Sequence, residues 1–186
     1  MRIVGGEFRG RPLVTPKTDN IRPTTDRTRE SLFNILNHAY AEKLNATRVL
    51  DLFSGTGALG LEALSRGARY CLFVEESAEG RGLLRENVDA LALQGRTRIF
   101  RRDATDLGPV GPIDPFDLVF ADPPYNKGLG ERALTAAAGH GWFNPGALVV
   151  FEESGMAEPV FPSSFELLEK RAFGETIIRF LQWSKP

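Results

Sequence analysis

The chain has 186 residues, 42% of them hydrophobic and 25% charged, with a formal net charge of -1, which together predict one globular domain around a single core. Its one cysteine, Cys71, cannot form an internal disulfide, and two histidines are too few for a metal site, so we expect no bound metal. The sequence opens without a signal-peptide pattern and has no apolar run long enough to cross a bilayer, so we expect a cytoplasmic protein, by default a monomer.

The beginning of the chain, residues 1–29, is basic, and we call it the basic head. It contains seven basic and three acidic residues, whereas acidic residues outnumber basic ones in the rest of the chain. Such a segment is either a solvated surface or a contact for a polyanion, because Lys and Arg contacts to phosphates release counterions. The side chains that would make these contacts are Arg2, Arg9, Arg11 and Lys17.

Two elements are predicted before the main sheet. Residues 2–14 favour a short β-hairpin with glycines at its turns, and an irregular stretch with two prolines follows. A helix is predicted from about Asp26 to Tyr40, because apolar residues recur there at i, i+3, i+4 and i+7. This apolar stripe consists of Leu32, Ile35, Leu36 and Ala39.

Strand and helix signals alternate along the rest of the chain, which favours a mostly parallel sheet with helices on both faces. The predicted strands are Arg48 to Phe53, Tyr70 to Val74, Thr97 to Phe100, Phe116 to Ala121 and Ala147 to Phe151. One predicted helix begins near Ala58, and two others cover about Ala78 to Leu93 and Gly130 to Ala138. Two alternating runs on either side of Gly174 predict a closing antiparallel hairpin.

A glycine-rich loop follows the first strand of this predicted sheet. Gly55, Gly57 and Gly60 form a G-x-G-x-x-G pattern between strand and helix, where glycines allow a tight turn and close approach to a nucleotide. Glu75 ends the next strand, where its carboxylate can accept hydrogen bonds from ribose hydroxyls. Taken alone, the pattern also suits a dinucleotide, or a loop that only turns the chain.

Acidic residues at the strand ends favour S-adenosylmethionine over a dinucleotide. Asp51, at the end of the first strand, would repel a pyrophosphate but attracts a ligand that carries an amino group and a sulfonium cation. Asp103 follows the third strand, where it either accepts a hydrogen bond from the adenine amino group or caps a helix. The predicted cofactor-binding residues in this part of the chain are Asp51, Phe53, Gly55, Gly57, Gly60, Glu75 and Asp103.

A second motif, Asp122-Pro123-Pro124-Tyr125, follows the predicted fourth strand of the sheet. Its carboxylate and a proline-fixed carbonyl can accept the two hydrogens of an exocyclic amine on a base, and the tyrosine ring can stack on that base. In an open sheet of order 3-2-1-4-5, the first and fourth strands are neighbours, so both motifs would lie at the ligand-binding edge. The alternative is an ordinary proline turn.

The stretches DLFSGTGALG, FVEES and DPPY resemble the cofactor, ribose and catalytic motifs of class I S-adenosylmethionine-dependent amino-methyltransferases. RIVGGEFRGRPL and RPTTDRTRESLFNIL are similar to the start of the bacterial family that methylates guanine N2 in 16S ribosomal RNA. RPTTDRTRE is the most specific of these pieces, since DPPY is shared with DNA adenine-N6 and cytosine-N4 methyltransferases. Together the motifs cover most of the chain.

The resemblance implies a Rossmann-like, seven-stranded α/β methyltransferase fold with the last strand antiparallel. It also implies an RNA-binding hairpin and helix extension at residues 1–40, before a methyltransferase domain at residues 41–186, and a substrate within the small ribosomal subunit. Asp122 to Tyr125 would lie at the target amine. Arg22, Thr24 and Asp26 would lie near the methionine end of the cofactor. Family members with Phe at the position of Tyr125 imply that its hydroxyl is not essential.

Three other functions share parts of this pattern. A DNA amino-methyltransferase would have the same core, but enzymes that read DNA sequence usually carry an additional recognition region. An NAD-dependent oxidoreductase would use the glycine loop but not DPPY. A non-catalytic RNA-binding module would explain only the basic head. Cys71 lies within the second predicted strand, so we expect it to pack in the core and not to act as a nucleophile.

Overall fold

The computed structural model describes residues 1–17 and 25–186. Within these residues seven strands form one sheet: β1 (Arg48–Leu52), β2 (Tyr70–Val74), β3 (Thr97–Phe100), β4 (Phe116–Ala121), β5 (Phe143–Ser154), β6 (Phe165–Phe173) and β7 (Thr176–Trp183). The α-helices are α1 (Asp26–Ala39), α2 (Ala41–Leu44), α3 (Ala58–Ser65), α4 (Ala78–Ala90) and α5 (Leu129–Gly139). None of the helices in these two ranges is long and apolar enough to span a membrane.

The strand order is β3-β2-β1-β4-β5-β7-β6. Strands β1 to β5 pair in parallel, β7 is antiparallel to β5, and β6 is antiparallel to β7. The predicted order 3-2-1-4-5, the hairpin around Gly174 and the Rossmann-like α/β fold are therefore confirmed. In the register of β1 with β4, Leu52 lies opposite Ala121, so the loops after these strands leave the sheet side by side.

Helices cover both faces of the sheet, as the alternation predicted. On one face, residues of α1, α3 and α4 pack against strand residues such as Val49, Phe73 and Leu118. On the other face, α5 packs against residues such as Leu50 and Val119. Because both faces are covered, the central strands β1, β2 and β4 are almost continuously buried and largely apolar, and do not alternate between polar and apolar residues.

The structure corrects several element boundaries. Helix α1 ends at Ala39, one residue before the predicted end at Tyr40. Ala39, predicted on the apolar stripe, is exposed, whereas Phe33, which was not predicted there, is buried. Helix α4 ends at Ala90 because Ala92 has a left-handed backbone, with φ of 54°. Strand β5 is longer than predicted because pairing with β4 and β7 extends it beyond its apolar centre. The four-residue helix α2 was not predicted because it is too short to show a helical period.

The predicted N-terminal hairpin is reduced to a single antiparallel bridge between Arg2 and Pro12. Gly6 and Gly10 both have positive φ, so the chain between them turns instead of forming a ladder. Ile3 and Leu13 are buried in the same cluster as α1 and the sheet. The described beginning of the chain is therefore part of the core.

The carboxylate of Glu62 fastens this N-terminal segment to helix α3. Its two oxygens accept hydrogen bonds from the backbone N–H of Val4 at 2.9 Å and of Gly5 at 2.8 Å. It also pairs with Arg66 Nε at 2.8 Å and lies 3.7 Å from Arg29 Nε. Glu62 and Arg29 are fully buried, so this pairing holds charges that would be costly without a counter-charge.

We expect Glu62→Gln to lower the free energy of unfolding by about 3 kcal/mol, because it removes the fully buried one of the two carboxylates that pair with Arg29 and one acceptor of a backbone N–H. Denaturant unfolding of both proteins measures the difference. Glu30→Gln, an exposed position on α1, is the control and should leave the transition midpoint unchanged. A loss below 1 kcal/mol for Glu62→Gln would show that this contact does not anchor the segment.

Candidate active site

A cavity of about 830 Å³ lies at the carboxyl ends of the parallel strands. In open α/β sheets ligands bind at this edge, where the chain connections diverge from the first strand in opposite directions. Among the described residues, one basic side chain, Arg102, lines the cavity. The acidic residues in its wall are Asp51, Glu75, Glu76, Asp103 and Asp122. The cavity is therefore electronegative and suits a cationic ligand.

The glycine loop between β1 and α3 has the tight backbone that its sequence predicted. Phe53, Gly55 and Gly57 have φ of 58°, 54° and 80°. A positive φ at Phe53 is unusual for a residue with a side chain, and such backbone strain occurs often at functional sites. Phe53 and Gly55 both line the cavity.

Gly57 and Gly60 are not among the cavity-lining residues, and both have a packing role. A Cβ on Gly57 would lie 2.3 Å from Leu84 Cδ1. A Cβ on Gly60 would lie 2.4 Å from Phe73 Cε1 and 2.6 Å from Cys71 Sγ. These two glycines therefore let α3 approach the sheet and α4 closely.

Asp51 is almost completely buried at the end of β1, yet it also contributes to the cavity wall. Its Oδ2 accepts a hydrogen bond from Gly60 N at 3.1 Å. Burial raises the pKa of Asp51 to about 7, against the opposing effect of the Gly60 N–H, and the nearby charge of Glu75 raises it further. Near neutral pH this carboxyl can therefore be either charged or neutral, depending on what binds beside it.

Glu75 joins the loops that follow β1 and β2. Its Oε2 accepts from Gly55 N at 2.7 Å, and its Oε1 accepts from Ser77 N at 2.9 Å. A carboxylate has about four acceptor positions, so these two bonds leave capacity for ligand hydroxyls. Since Glu75 also lines the cavity, its geometry agrees with a ribose-binding role.

Asp103 both caps a helix and lines the cavity. Its Oδ1 accepts from Thr105 N at 2.8 Å and from Thr105 Oγ1 at 2.7 Å, which begins a short 3-10 helix at Ala104. These hydrogen bonds hold the pKa of Asp103 below its usual value. The capping alternative is therefore observed, and it does not remove the exposed carboxylate from the cavity wall.

The Asp122 to Tyr125 motif forms the wall of the cavity beyond β4. The hydroxyl of Tyr125 donates to Glu152 Oε1 at 2.7 Å and lies 3.1 Å from Thr176 Oγ1. Burial and the charge of Glu152 raise the pKa of Tyr125. Strands β5 and β7 therefore hold the tyrosine ring in a fixed position.

The residue after the motif is fixed in the same way. Asn126 N donates to Glu153 Oε1 at 3.1 Å, and Asn126 has a left-handed backbone with φ of 60°. Sequence reasoning did not identify Glu152 and Glu153. The available signal was FEES, two acidic residues at the end of an apolar strand, the same signal that identified Asp51 and Glu75.

The remaining predicted residues lie outside the cavity wall or outside the described part of the chain. Arg22 and Thr24 fall in residues 18–24, which the structure does not describe. Asp26 is the first residue of α1 and pairs with Arg29 at 3.1 Å and with Arg2 at 3.7 Å. The basic head instead contributes Met1 and Pro16 to the cavity wall, and no sequence pattern indicated either residue.

The side chains proposed for polyanion binding occupy different places. Lys17 is exposed and follows Pro16, a cavity-lining residue. Arg11 donates to the carbonyl of Ala90 at 2.6 Å, at the last residue of α4. The N-cap of that helix, Ser77, lines the cavity, so Arg11 lies about one helix length, roughly 20 Å, from the cavity.

The fold and cavity define a Rossmann-like protein of the methyltransferase class, and solved structures agree. The Escherichia coli protein yhhF superposes with a TM-score of 0.85 at 33% identity, covering 100% of this chain and 99% of that chain. The Haemophilus influenzae protein HI0767 superposes with a TM-score of 0.80 at 30% identity and covers 98% of each chain.

Sequence comparison identifies the family. The family model described as "Conserved hypothetical protein 95" matches residues 1–182. Ribosomal RNA small subunit methyltransferase D of Escherichia coli K12 is 37% identical over 186 residues, 98% of this chain and 89% of the relative. The Haemophilus influenzae protein of the same name is 32% identical over 184 residues, 98% of this chain and 93% of the relative. The chain belongs to this family, which confirms the resemblance seen in its motifs.

Burial of Asp51 predicts a pH-dependent loss of stability in the ligand-free protein. The pKa of Asp51 in the folded protein, about 7, exceeds its ordinary value of 3.8. Between these two pH values the folded protein therefore retains a proton that the unfolded chain releases. The resulting stability is complete below about pH 4 and is lost as the pH rises to about 7, at up to about 1.4 kcal/mol per pH unit.

We therefore expect Asp51→Asn to remove this decline between pH 4 and pH 7, as measured by denaturant unfolding at several pH values. Asp103→Asn is the control and should leave the decline in place, because Asp103 has a lowered pKa and contributes in the opposite direction. Parallel curves for the parent protein and Asp51→Asn would contradict the assignment of the raised pKa.

Proposed function

We propose that this protein transfers a methyl group from S-adenosylmethionine to the exocyclic N2 amine of a guanine in 16S ribosomal RNA. The observation that carries the proposal is the placement of the Asp122 to Tyr125 motif in the wall of an acidic cavity. The names of the family relatives support ribosomal RNA of the small subunit as the substrate. The choice of guanine N2 as the target rests on the resemblance of RIVGGEFRGRPL and RPTTDRTRESLFNIL to the start of the guanine-N2 methyltransferase family.

The cavity residues fit S-adenosylmethionine. Asp51 presents a carboxyl group to a ligand that carries a positive sulfur and an ammonium group. Glu75 is placed for the ribose hydroxyls and Asp103 for the adenine amino group. A dinucleotide fits less well, since its pyrophosphate would enter a wall with five acidic residues and one basic residue. When bound, S-adenosylmethionine supplies a methyl group that its sulfonium charge activates.

The protein's own contribution is to position the target amine. The lone pair of this amine is delocalised into the ring of the base, so the amine is a poor nucleophile until its hydrogens are held out of the ring plane. Asp122 and the carbonyl of Pro123 accept these two hydrogens, and the ring of Tyr125, fixed by Glu152, stacks on the base. The products are N2-methylguanine and S-adenosylhomocysteine, with release of one proton. Catalysis of this kind depends mainly on orientation.

No covalent intermediate with the enzyme is part of the proposed reaction. Cys71 is fully buried in β2, and burial raises the pKa of its thiol well above the ordinary value. A neutral, enclosed thiol cannot act as the nucleophile that methylation at a pyrimidine carbon requires. This favours an amine over a pyrimidine carbon as the target.

Two alternatives keep part of this assignment. A DNA adenine-N6 or cytosine-N4 methyltransferase would use the same four motif residues, but the curated relatives named above act on ribosomal RNA by their names. An NAD-dependent oxidoreductase is disfavoured by the acidic cavity.

We also propose that the enzyme works in the cytoplasm as a monomer, on RNA within a small ribosomal subunit or assembly particle. Its RNA-contacting residues would include Arg2, Arg9, Arg11 and Lys17.

We expect Asp122→Ala to lower kcat by about a hundredfold with unchanged affinity for the cofactor, because it removes one preorganised acceptor for the reacting amine. Single-turnover methyl transfer and calorimetry of cofactor binding measure the two effects. Cys71→Ala is the control and should retain turnover. A folded Asp122→Ala enzyme with near-normal kcat would remove Asp122 from the mechanism, and an inactive but folded Cys71→Ala enzyme would refute the amine assignment.

The substrate class is tested with radiolabelled S-adenosylmethionine and three acceptors: small ribosomal subunits lacking the modification, their naked RNA, and duplex DNA. Digestion to nucleosides identifies the product. We expect N2-methylguanosine from the particles or the RNA. Label in DNA alone would support the alternative DNA enzyme. Absence of label with all three acceptors, despite cofactor binding, would contradict the proposed substrate.

A further inference from the structure

Strand β3 lies at one edge of the sheet, so one side of its backbone pairs with no other strand of the described residues. Residues 94–102, which contain this strand, include four arginines and no acidic residue. This composition is unusual in a chain whose acidic and basic residues are almost equal in number. The four arginines are Arg96, Arg98, Arg101 and Arg102.

Two of these guanidinium groups are held on an aromatic ring. Arg98 Cζ lies 4.7 Å and Arg102 Cζ 5.5 Å from the centroid of Phe100. Arg98, Arg101 and Arg102 are exposed, and no carboxylate of the described residues forms an ion pair with them. A guanidinium held on a ring keeps N–H donors that match the geometry of a phosphate, and Arg102 retains such donors although its Nη1 donates to the carbonyl of Leu107.

The arginines connect the basic head with the cavity. Arg96, before the strand, pairs with Glu7 of the head at 3.6 Å. Arg102, beyond its other end, lines the cavity. At about 3.3 Å per residue, the distance along the chain from Arg96 to Arg102 is roughly 20 Å. A shallow groove of about 240 Å³ is formed by residues Arg98 to Arg102 alone.

We propose that this β3 edge, residues 96–102, binds the phosphodiester backbone of the RNA that presents its guanine to the cavity. The charge of the edge is complementary to RNA, and three of its arginines, Arg98, Arg101 and Arg102, remain exposed and without an ion pair to a carboxylate of the described residues. The acidic cavity repels phosphates, so the RNA backbone needs a basic surface directly beside the cavity mouth. Arg11 lies about a helix length away, and Lys17, which follows the cavity-lining Pro16, supplies a single charge. This inference rests on the proposed function, because it takes RNA as the substrate.

The test is a double substitution, Arg98→Gln with Arg101→Gln, in the full-length protein. The probe is unmodified 16S ribosomal RNA, and its Kd is measured over a range of salt concentrations. We expect at least tenfold weaker binding and a smaller salt dependence, with the slope of log Kd against log salt reduced by about 1.5 to 2 because two phosphate contacts are lost. Cofactor affinity should be unchanged, which shows that the variant is folded.

The control is Lys170→Gln with Arg171→Gln on β6, at the opposite edge of the sheet, where Arg171 already pairs with Glu169. This variant removes the same number of positive charges and should keep most of the RNA affinity and the original salt slope. Equal losses in both variants would show a general effect of net charge and would overturn the proposal.

The arginines of an edge strand can also serve only to prevent pairing between sheets of two molecules. That role predicts parental RNA affinity together with aggregation of the double variant in sedimentation velocity, and this result would overturn the proposal. Methyl transfer by the parent protein is measured on the same RNA. If the parent methylates the RNA and the double variant binds it normally, only the β3-edge proposal fails. If the parent methylates neither this RNA nor small ribosomal subunits lacking the modification, the proposed function fails as well.

Discussion

The organising interaction of this structure is the hydrogen bond between a carboxylate at or just beyond a strand end and a backbone N–H of a neighbouring loop or of the first turn of a helix. It occurs at Asp51 with Gly60, at Glu75 with Gly55 and Ser77, at Asp103 with Thr105 and at Glu153 with Asn126. Each bond fixes the backbone of a loop or a helix start around or beside the cavity. Because a carboxylate needs such donors when it is removed from water, acidity of the site and order of its loops arise together.

This arrangement divides the molecule electrostatically. The cavity wall is acidic, which favours a cationic methyl donor, whereas the basic head and the β3 edge carry exposed positive charge outside it. In the proposed reaction the donor and a polyanionic substrate must meet at one point. Separate surfaces of opposite charge allow this, because the cavity can receive a neutral base while arginines hold the phosphates.

The N-terminal segment, residues 1–17, is hydrogen-bonded to the helices that surround the glycine loop. Glu62, in the helix that begins at the glycine loop, accepts backbone N–H bonds from Val4 and Gly5. Asn87 accepts from Val14 N at 2.7 Å and donates to the carbonyl of Thr56 at 3.0 Å, which ties the segment to the glycine loop itself. Met1 and Pro16 then complete the cavity wall. The segment is therefore part of the cavity as well as of the proposed RNA surface.

The sequence by itself determined the parallel sheet, the bounds of β2, β3 and β4, the tight glycine loop and the adjacency of the two motifs. These follow from apolar runs, local backbone sterics and the rule that parallel strands end at one edge. Only the tertiary structure decided that Gly57 and Gly60 serve close packing, that Asp26 pairs with Arg29 and that Glu152 and Glu153 hold Tyr125 and Asn126. These contacts depend on which distant side chains are brought together, and on their burial, and no local window of sequence contains that information.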